Sequence, residues 1–152
     1  MEIERKFLIS HLPDDLDEYP FHLIEQAYLC TSPVVRIRRQ DHDYILTYKG
    51  SGMMSREEYN LPLTPEAYQH LLAKADGTIL TKKRYLIPLE QGLKIELDLF
   101  DGEWSGLILA EVEFPNEETA RNFIPPNWFI KDVTFDGRYH NSWLSQHHPG
   151  RD

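Results

Sequence analysis

Met1-Glu2-Ile3-Glu4-Arg5-Lys6-Phe7-Leu8-Ile9 sets Glu2, Glu4 and Lys6 at every second position, with Ile3, Arg5 and Phe7 between them. Successive side chains of a β-strand point to opposite faces, so this run as a strand lines one face with two carboxylates and an ammonium. Taken alone, such a face is the wet side of a half-buried sheet. The rest of the chain repeats the pattern, and the repetition changes what the face can be.

Working outward, residues 22–30, 34–40, 43–49, 54–63, 79–88, 93–100 and 107–114 alternate in the same period and bring the strand count to about eight. Asp41-His42 and Gln91-Gly92 have the composition of hairpin turns, which predicts antiparallel neighbours. Two helices interrupt the strands. One starts at Thr64 as N-cap with Pro65 in the first turn and runs towards Asp76-Gly77; the other starts at Asn116 and stops before Pro125-Pro126. Residues 138–146 suit a last short helix. One domain over 1–146 and a disordered tail over 147–152, with His147 and His148 in solvent, complete the expected layout.

The charged residues of these strands share one phase: Glu2/Glu4/Lys6, Arg36/Arg38, Lys49 after Thr47, Arg56/Glu58, Lys82/Arg84, Glu96/Asp98 and Glu111/Glu113. The opposite phase holds Ile3, Phe7, Val35, Ile37, Ile95, Leu97, Leu99, Val112 and Phe114. A solvated face mixes charge with Ser, Thr, Gln and Asn, whereas here charged residues take nearly every place. Like charges also sit two apart on one strand, roughly 7 Å from each other, and repel unless something of opposite sign lies between them. Closing about eight strands into a barrel turns this face inward and leaves the apolar face for the helices to cover. The expected fold is therefore α+β, mainly β: a closed antiparallel eight-stranded β-barrel with flanking helices. Inside it, guanidinium forks suit phosphate oxygens, and clustered carboxylates suit Mg²⁺ or Mn²⁺ bridged to phosphate.

Composition narrows the partners. Twenty-five acidic residues against 16 basic give a net charge of −9, a surface that repels nucleic acid and anionic membrane, so an anionic ligand needs an enclosed basic site. No run approaches a membrane span or a signal peptide, and the single cysteine, Cys30, rules out an internal disulfide; a cytoplasmic location is expected. Glycines form no phosphate loop, the histidines lack metal-ligand spacing, and Trp104, Trp128 and Trp143 read as packing residues.

The ordered set Glu2-x-Glu4-x-Lys6, Arg36-x-Arg38, Lys49, Lys82-x-Arg84, Glu96-x-Asp98 and Glu111-x-Glu113 resembles the CYTH family, the triphosphate tunnel metalloenzymes, from residue 1 to about residue 146. The resemblance implies an antiparallel tunnel and hydrolysis of tripolyphosphate to pyrophosphate and phosphate, with a divalent cation, Mg²⁺ or Mn²⁺, as cofactor. It further implies Glu2, Glu4, Glu111 and Glu113 as metal ligands, with Glu96 or Asp98 as the additional one, and Lys6, Arg36, Arg38, Lys49, Lys82 and Arg84 as triphosphate ligands. Lys6 and Glu4 are the candidates for catalysis, while Arg56 and Glu58 suit structural ion pairs. The lysine common near the family's C-terminus is absent here, which leaves two alternatives: Arg138 or His140 as its substitute, or a smaller contribution from the C-terminal helix. Rival outcomes on the same scaffold are a class IV adenylyl cyclase, a thiamine triphosphatase, or a polyphosphate binder without turnover. A monomer or homodimer, with no nucleic acid or membrane partner, is expected.

Overall fold

The alternation of apolar and charged residues is realised as one antiparallel sheet rolled on itself. The computed structural model describes residues 1–149. Its strands are β1 (Glu2–Ile9), β2 (Phe21–Thr31), β3 (Val34–Gln40), β4 (Asp43–Lys49), β5 (Ser55–Arg56), β6 (Glu58–Pro62), β7 (Asp76–Pro88), β8 (Lys94–Phe100), β9 (Ile108–Glu113) and β10 (Phe129–Asp132). They lie in the order β10-β1-β9-β8-β7-β2-β3-β4-β6.

The two ends of this path meet through residues 55–62, one bent strand interrupted at Glu57. Its second part pairs β4 from Lys49↔Glu58 to Ile45↔Pro62, and its first pairs β1 through Glu2↔Arg56 and Ile3↔Ser55. The Glu4 N–H adds a bond to Met54 O at 3.0 Å. With β5 and β6 counted together, eight strands circle the barrel, and β10 is a ninth on the far end of the same edge of β1, through Phe7↔Asp132 and Ile9↔Phe129. Two expected hairpins are present. Gln40 faces Asp43 across Asp41-His42, with Asp41 at φ 54°, and Gln91 (φ 62°) and Gly92 (φ 74°) turn β7 into β8.

Two helices dress the outside, α1 (Pro65–Leu72) and α2 (Glu117–Asn122), and a third, α3 (Asn141–Gln146), closes one end. Thr64 accepts from Ala67 N–H at the start of α1, and Asn116 accepts from Thr119 N–H at the start of α2, each satisfying an amide that the helix cannot. α1 buries Tyr68 against Ala27 and Ile37. Arg5, the charge in the outward phase of β1, donates to the carbonyls of Ala120 and Phe123 at the end of α2 and pairs with Asp132 at 3.0 Å, so it clasps α2 and β10 to the barrel. The expected first helix is shorter than its sequence suggests, ending at Leu72, and β7 begins at Asp76; residues 137–139 form a tight turn before α3.

Most of the core lies outside the barrel wall, where Phe7, Ile95, Leu97, Val112 and Phe114 pack with Ala120 and Phe129. A second cluster lies within it. The inward phase, charged along most strands, becomes apolar at one end as Tyr28, Val34, Leu80, Phe100 and Leu109, with Leu8 beside them; Val133 and Leu144 of the C-terminal segment pack there. Residues 133–146 thus seat an apolar stopper on one end of a charged barrel. Among the described residues no helix is long and apolar enough to cross a membrane. Of the expected disordered tail, residues 150–152 lie outside the described residues; within it His147 stacks on Trp143 at 3.6 Å and His148 pairs with Glu103, so these rings have partners.

Candidate functional site

The wall of the barrel encloses a cavity of about 330 Å³ lined by seven basic side chains, Lys6, Arg36, Arg38, Lys49, Arg56, Lys82 and Arg84, and six acidic ones, Glu2, Glu4, Glu58, Glu96, Glu111 and Glu113. Antiparallel register puts them together: Glu4 lies opposite Glu113 and Lys6 opposite Glu111 on β1 and β9, Glu96 opposite Glu111 on β8 and β9, and Arg84 opposite Asp98 on β7 and β8.

Most of these charges neutralise one another. Lys49 Nζ binds Glu2 at 2.9 Å and Glu58 at 3.4 Å, and Arg56 lies 3.7 Å from Glu2. Lys6 Nζ sits 3.5 Å from Glu111 and donates to Tyr139 O at 3.0 Å. Asp98, 0% exposed, accepts a fork from Arg84 at 2.7 and 2.9 Å and binds Lys82 Nζ at 2.8 Å. Arg84 also reaches Glu96 at 3.1 Å and Glu111 at 3.4 Å. The electrostatics follow. Burial works against charge on Asp98 and Glu111, but Arg84 with Lys82, and Lys6 with Arg84, hold these carboxyls below their usual range. Burial, with Arg84 and Arg38 adding to it against Asp98, pulls the Lys82 ammonium down to about 7.

Two places are left over. Among the described residues, neither Arg36 nor Arg38 has a carboxylate partner; Arg36 Nε is buried without any hydrogen-bond acceptor. Burial, then Arg36 and Arg84, pushes Arg38 down to about 9, the mark of cations crowded without counter-charge. On the opposing side, Glu4 and Glu113 have neither an ion pair nor a side-chain hydrogen bond among the described residues. Burial, then Glu111 and Glu2, raises Glu4 to about 8, and burial, then Glu2, Glu96 and Glu58, raises Glu113. The cavity thus has a positive pole at β3 and a negative pole at β1 and β9.

The negative pole suits a divalent cation in chemistry and in charge. Among the described residues no three carboxylates or imidazoles converge as a finished cage.

The barrel gathers the candidate site residues of β1 to β9 other than Asp98 at this cavity, and two distinctions emerge that the sequence did not make. Asp98 lies behind the lining, both oxygens committed to Arg84 and Lys82, so it braces cations instead of facing the cavity as a metal ligand. Arg138 lies outside the cavity, its side chain 67% exposed and forked onto Asp136. His140 is nearer: burial, then Lys6 and Arg56, lowers its imidazole to about 4. Several neutral lining residues besides Thr47 escape a search for charge: Tyr28, Asn60, Asn141 and Ser142, with Gln26 buried behind them. Tyr28 and Asn60 sit in the charged phase of their strands and could have been found from it; Asn141 belongs to a distant helix and could not.

Residues 1–135 match the CYTH domain. The inorganic triphosphatase of Nitrosomonas europaea is 41% identical over 148 residues, which cover 95% of this chain and 96% of that protein. The inorganic triphosphatase of Acetivibrio thermocellus is 35% identical over 151 residues, covering 94% and 92%. A crystal structure of an inorganic triphosphatase superposes with a TM-score of 0.73 at 38% identity, over 99% of this chain and 97% of that one. With a domain match that runs from β1 through β10 and relatives aligned along nearly its whole length, this chain belongs to the CYTH family.

Proposed function

We propose that this protein hydrolyses the terminal phosphoanhydride of inorganic tripolyphosphate, giving pyrophosphate and phosphate, with Mg²⁺ or Mn²⁺ as cofactor. The observation that carries the reading is the two-pole cavity: among the described residues it is lined by Arg36 and Arg38, which have no carboxylate partner, and by Glu4 and Glu113, which have no cation. A polyphosphate alone would leave the carboxylates repelled, and a cation alone would leave the arginines without counter-charge; a metal–polyphosphate pair answers both. The inorganic triphosphatases to which the chain is similar support the choice of substrate.

In this reading Arg36 and Arg38 grip the phosphate oxygens, with Lys49, Lys82 and Arg84 extending the basic wall. Glu4 and Glu113, with Glu2, Glu96 and Glu111 close by, hold the cation. The bound cation supplies charge neutralisation at the phosphate oxygens. Water attacks the terminal phosphorus as the bridging P–O bond breaks, the leaving pyrophosphate takes the bond's electron pair and the water sheds a proton to solvent; the role given to Lys6 is to offset the charge on the leaving group. Glu4 accepts a hydrogen bond from the incoming water and sets its line of attack. The cysteine content and surface charge favour cytoplasmic action on a free small molecule, as a monomer or homodimer.

The test is phosphate release from tripolyphosphate, thiamine triphosphate and ATP with Mg²⁺, Mn²⁺ and Ca²⁺. Metal-dependent release from tripolyphosphate is expected, falling at least about 100-fold in Glu113→Gln and Glu4→Gln with the fold intact by circular dichroism. Cyclic AMP and pyrophosphate from ATP would instead identify a cyclase, and tight binding with no release under any metal would identify a binder.

A further inference from the structure

Each of the two unpartnered arginines is held in place by neutral groups. Arg38 donates through Nε (3.0 Å) and Nη2 (2.7 Å) to Gln26 Oε1. Because arginine only donates, the Gln26 amide has its oxygen on Arg38 and its NH2 turned away, and that NH2 donates to Asn141 Oδ1 at 2.8 Å. Lys82 Nζ, also a donor only, lies 2.9 Å from the same Oδ1 and fixes the Asn141 amide in turn. Gln26 is 0% exposed and the Lys82 side chain 1%, so both donors are shielded from bulk water. Arg36 is treated alike, donating to Thr47 Oγ1 at 3.2 Å while Thr47 donates to Asn60 Oδ1 at 2.7 Å. Lys82 and Arg84, by contrast, are braced by the carboxylate of Asp98.

The difference has an electrostatic consequence. A carboxylate that oriented Arg38 would also cancel its charge, whereas an amide orients it and leaves the charge for the ligand. Asn141 is the end of this chain of bonds and the first residue of α3, the element that seats the apolar stopper. We infer that Asn141 is a positioning residue for substrate binding, an uncharged brace by which the C-terminal helix holds Gln26, and through it Arg38, in register for the polyphosphate without neutralising it, and steadies Lys82 beside its Asp98 partner without adding a second counter-charge. The inference rests on the triphosphatase reading and adds to it a residue from outside the charged strands.

Two substitutions separate charge from anchoring. Asn141→Asp keeps an oxygen acceptor for both Gln26 and Lys82, so α3 stays anchored and the melting temperature should equal or exceed that of the parent. Its new negative charge should nevertheless raise KM for tripolyphosphate about tenfold or more, with kcat changed less than about threefold. Asn141→Leu removes both hydrogen bonds and should raise KM by a similar factor while lowering the melting temperature. A purely structural role predicts the reverse split: parental KM in Asn141→Asp, and only lost stability in Asn141→Leu. Parental KM in either variant overturns the inference and leaves the triphosphatase reading standing. If the parent protein itself neither binds tripolyphosphate, by its thermal shift, nor hydrolyses it, that reading falls and the inference with it.

Discussion

Asp98 and Glu113 occupy the same inward phase of adjacent strands, yet one is saturated and the other has no cation. What separates them is the strand next door: β7 offers Arg84 and Lys82 to Asp98, whereas β1 offers Glu4 to Glu113. Phase was legible in the sequence, because it depends only on position parity. Pairing was not, because it depends on register between strands distant in the chain, and so Asp98 could not be told from a metal ligand. Replacing Asp98 by Asn takes from the buried Lys82 its carboxylate and from Arg84 its forked one, a loss on the order of 3–5 kcal/mol that a denaturant titration should register. A drop below about 1 kcal/mol would show that Arg84 is held well enough by Glu96 and Glu111. Arg138 illustrates the same limit from the other side: its position after the last strand says nothing about whether Asp136, two residues away, captures it first.

At the scale of elements, the long alternating strands and both capped helices were readable, since Thr64-Pro65 and Asn116 carry their own hydrogen-bonding logic. β10 was missed because four residues, Phe129–Asp132, are too short a run for periodicity to mark; only pairing with β1 makes them a strand. The placement of α3 was equally invisible, and it brings His140 to the cavity's edge. Burial, Lys6, Arg56 and Lys49 all disfavour the imidazolium, against Glu111 alone, and the ring falls from 6.5 to about 4. The folded-state value lies below the unfolded one, so above pH 6.5 both states carry a neutral ring and stability is whole. As pH drops from about 6.5 to 4 the unfolded chain takes up a proton that the folded protein refuses, and stability declines before levelling off below about 4. With the ring partly in solvent, the share due to His140 is on the order of 2 kcal/mol. Comparing the melting temperatures of the parent and His140→Gln, free of ligands, over pH 4 to 7 isolates it: the variant should lose less on acidification, and parallel curves would exclude His140 as the cause.

The whole molecule carries −9, but its cavity is lined by one more basic than acidic side chain, so the negative charge resides on the outer surface. Folding therefore concentrates repulsion at two interior poles and leaves them unrelieved: Arg36 with Arg38, and Glu4 with Glu113. An anion bound at the first pole presents oxygens to the second, and a cation bound at the second attracts the anion at the first. Linkage requires each to strengthen the other by the same factor. The rise in melting temperature with tripolyphosphate and Mg²⁺ together should therefore exceed the sum of the two separate rises. Glu113→Gln removes one of the repelling carboxylates without touching the arginines, so it should keep the rise from tripolyphosphate alone, or enlarge it, while losing most of the extra increment from Mg²⁺. Arg38→Ala should weaken the tripolyphosphate rise with or without metal. Additive shifts in the parent protein, or an increment that survives in Glu113→Gln, would mean that the two poles do not bind one metal–polyphosphate pair, and the carboxylates of β1 and β9 would then need another partner to account for their isolation.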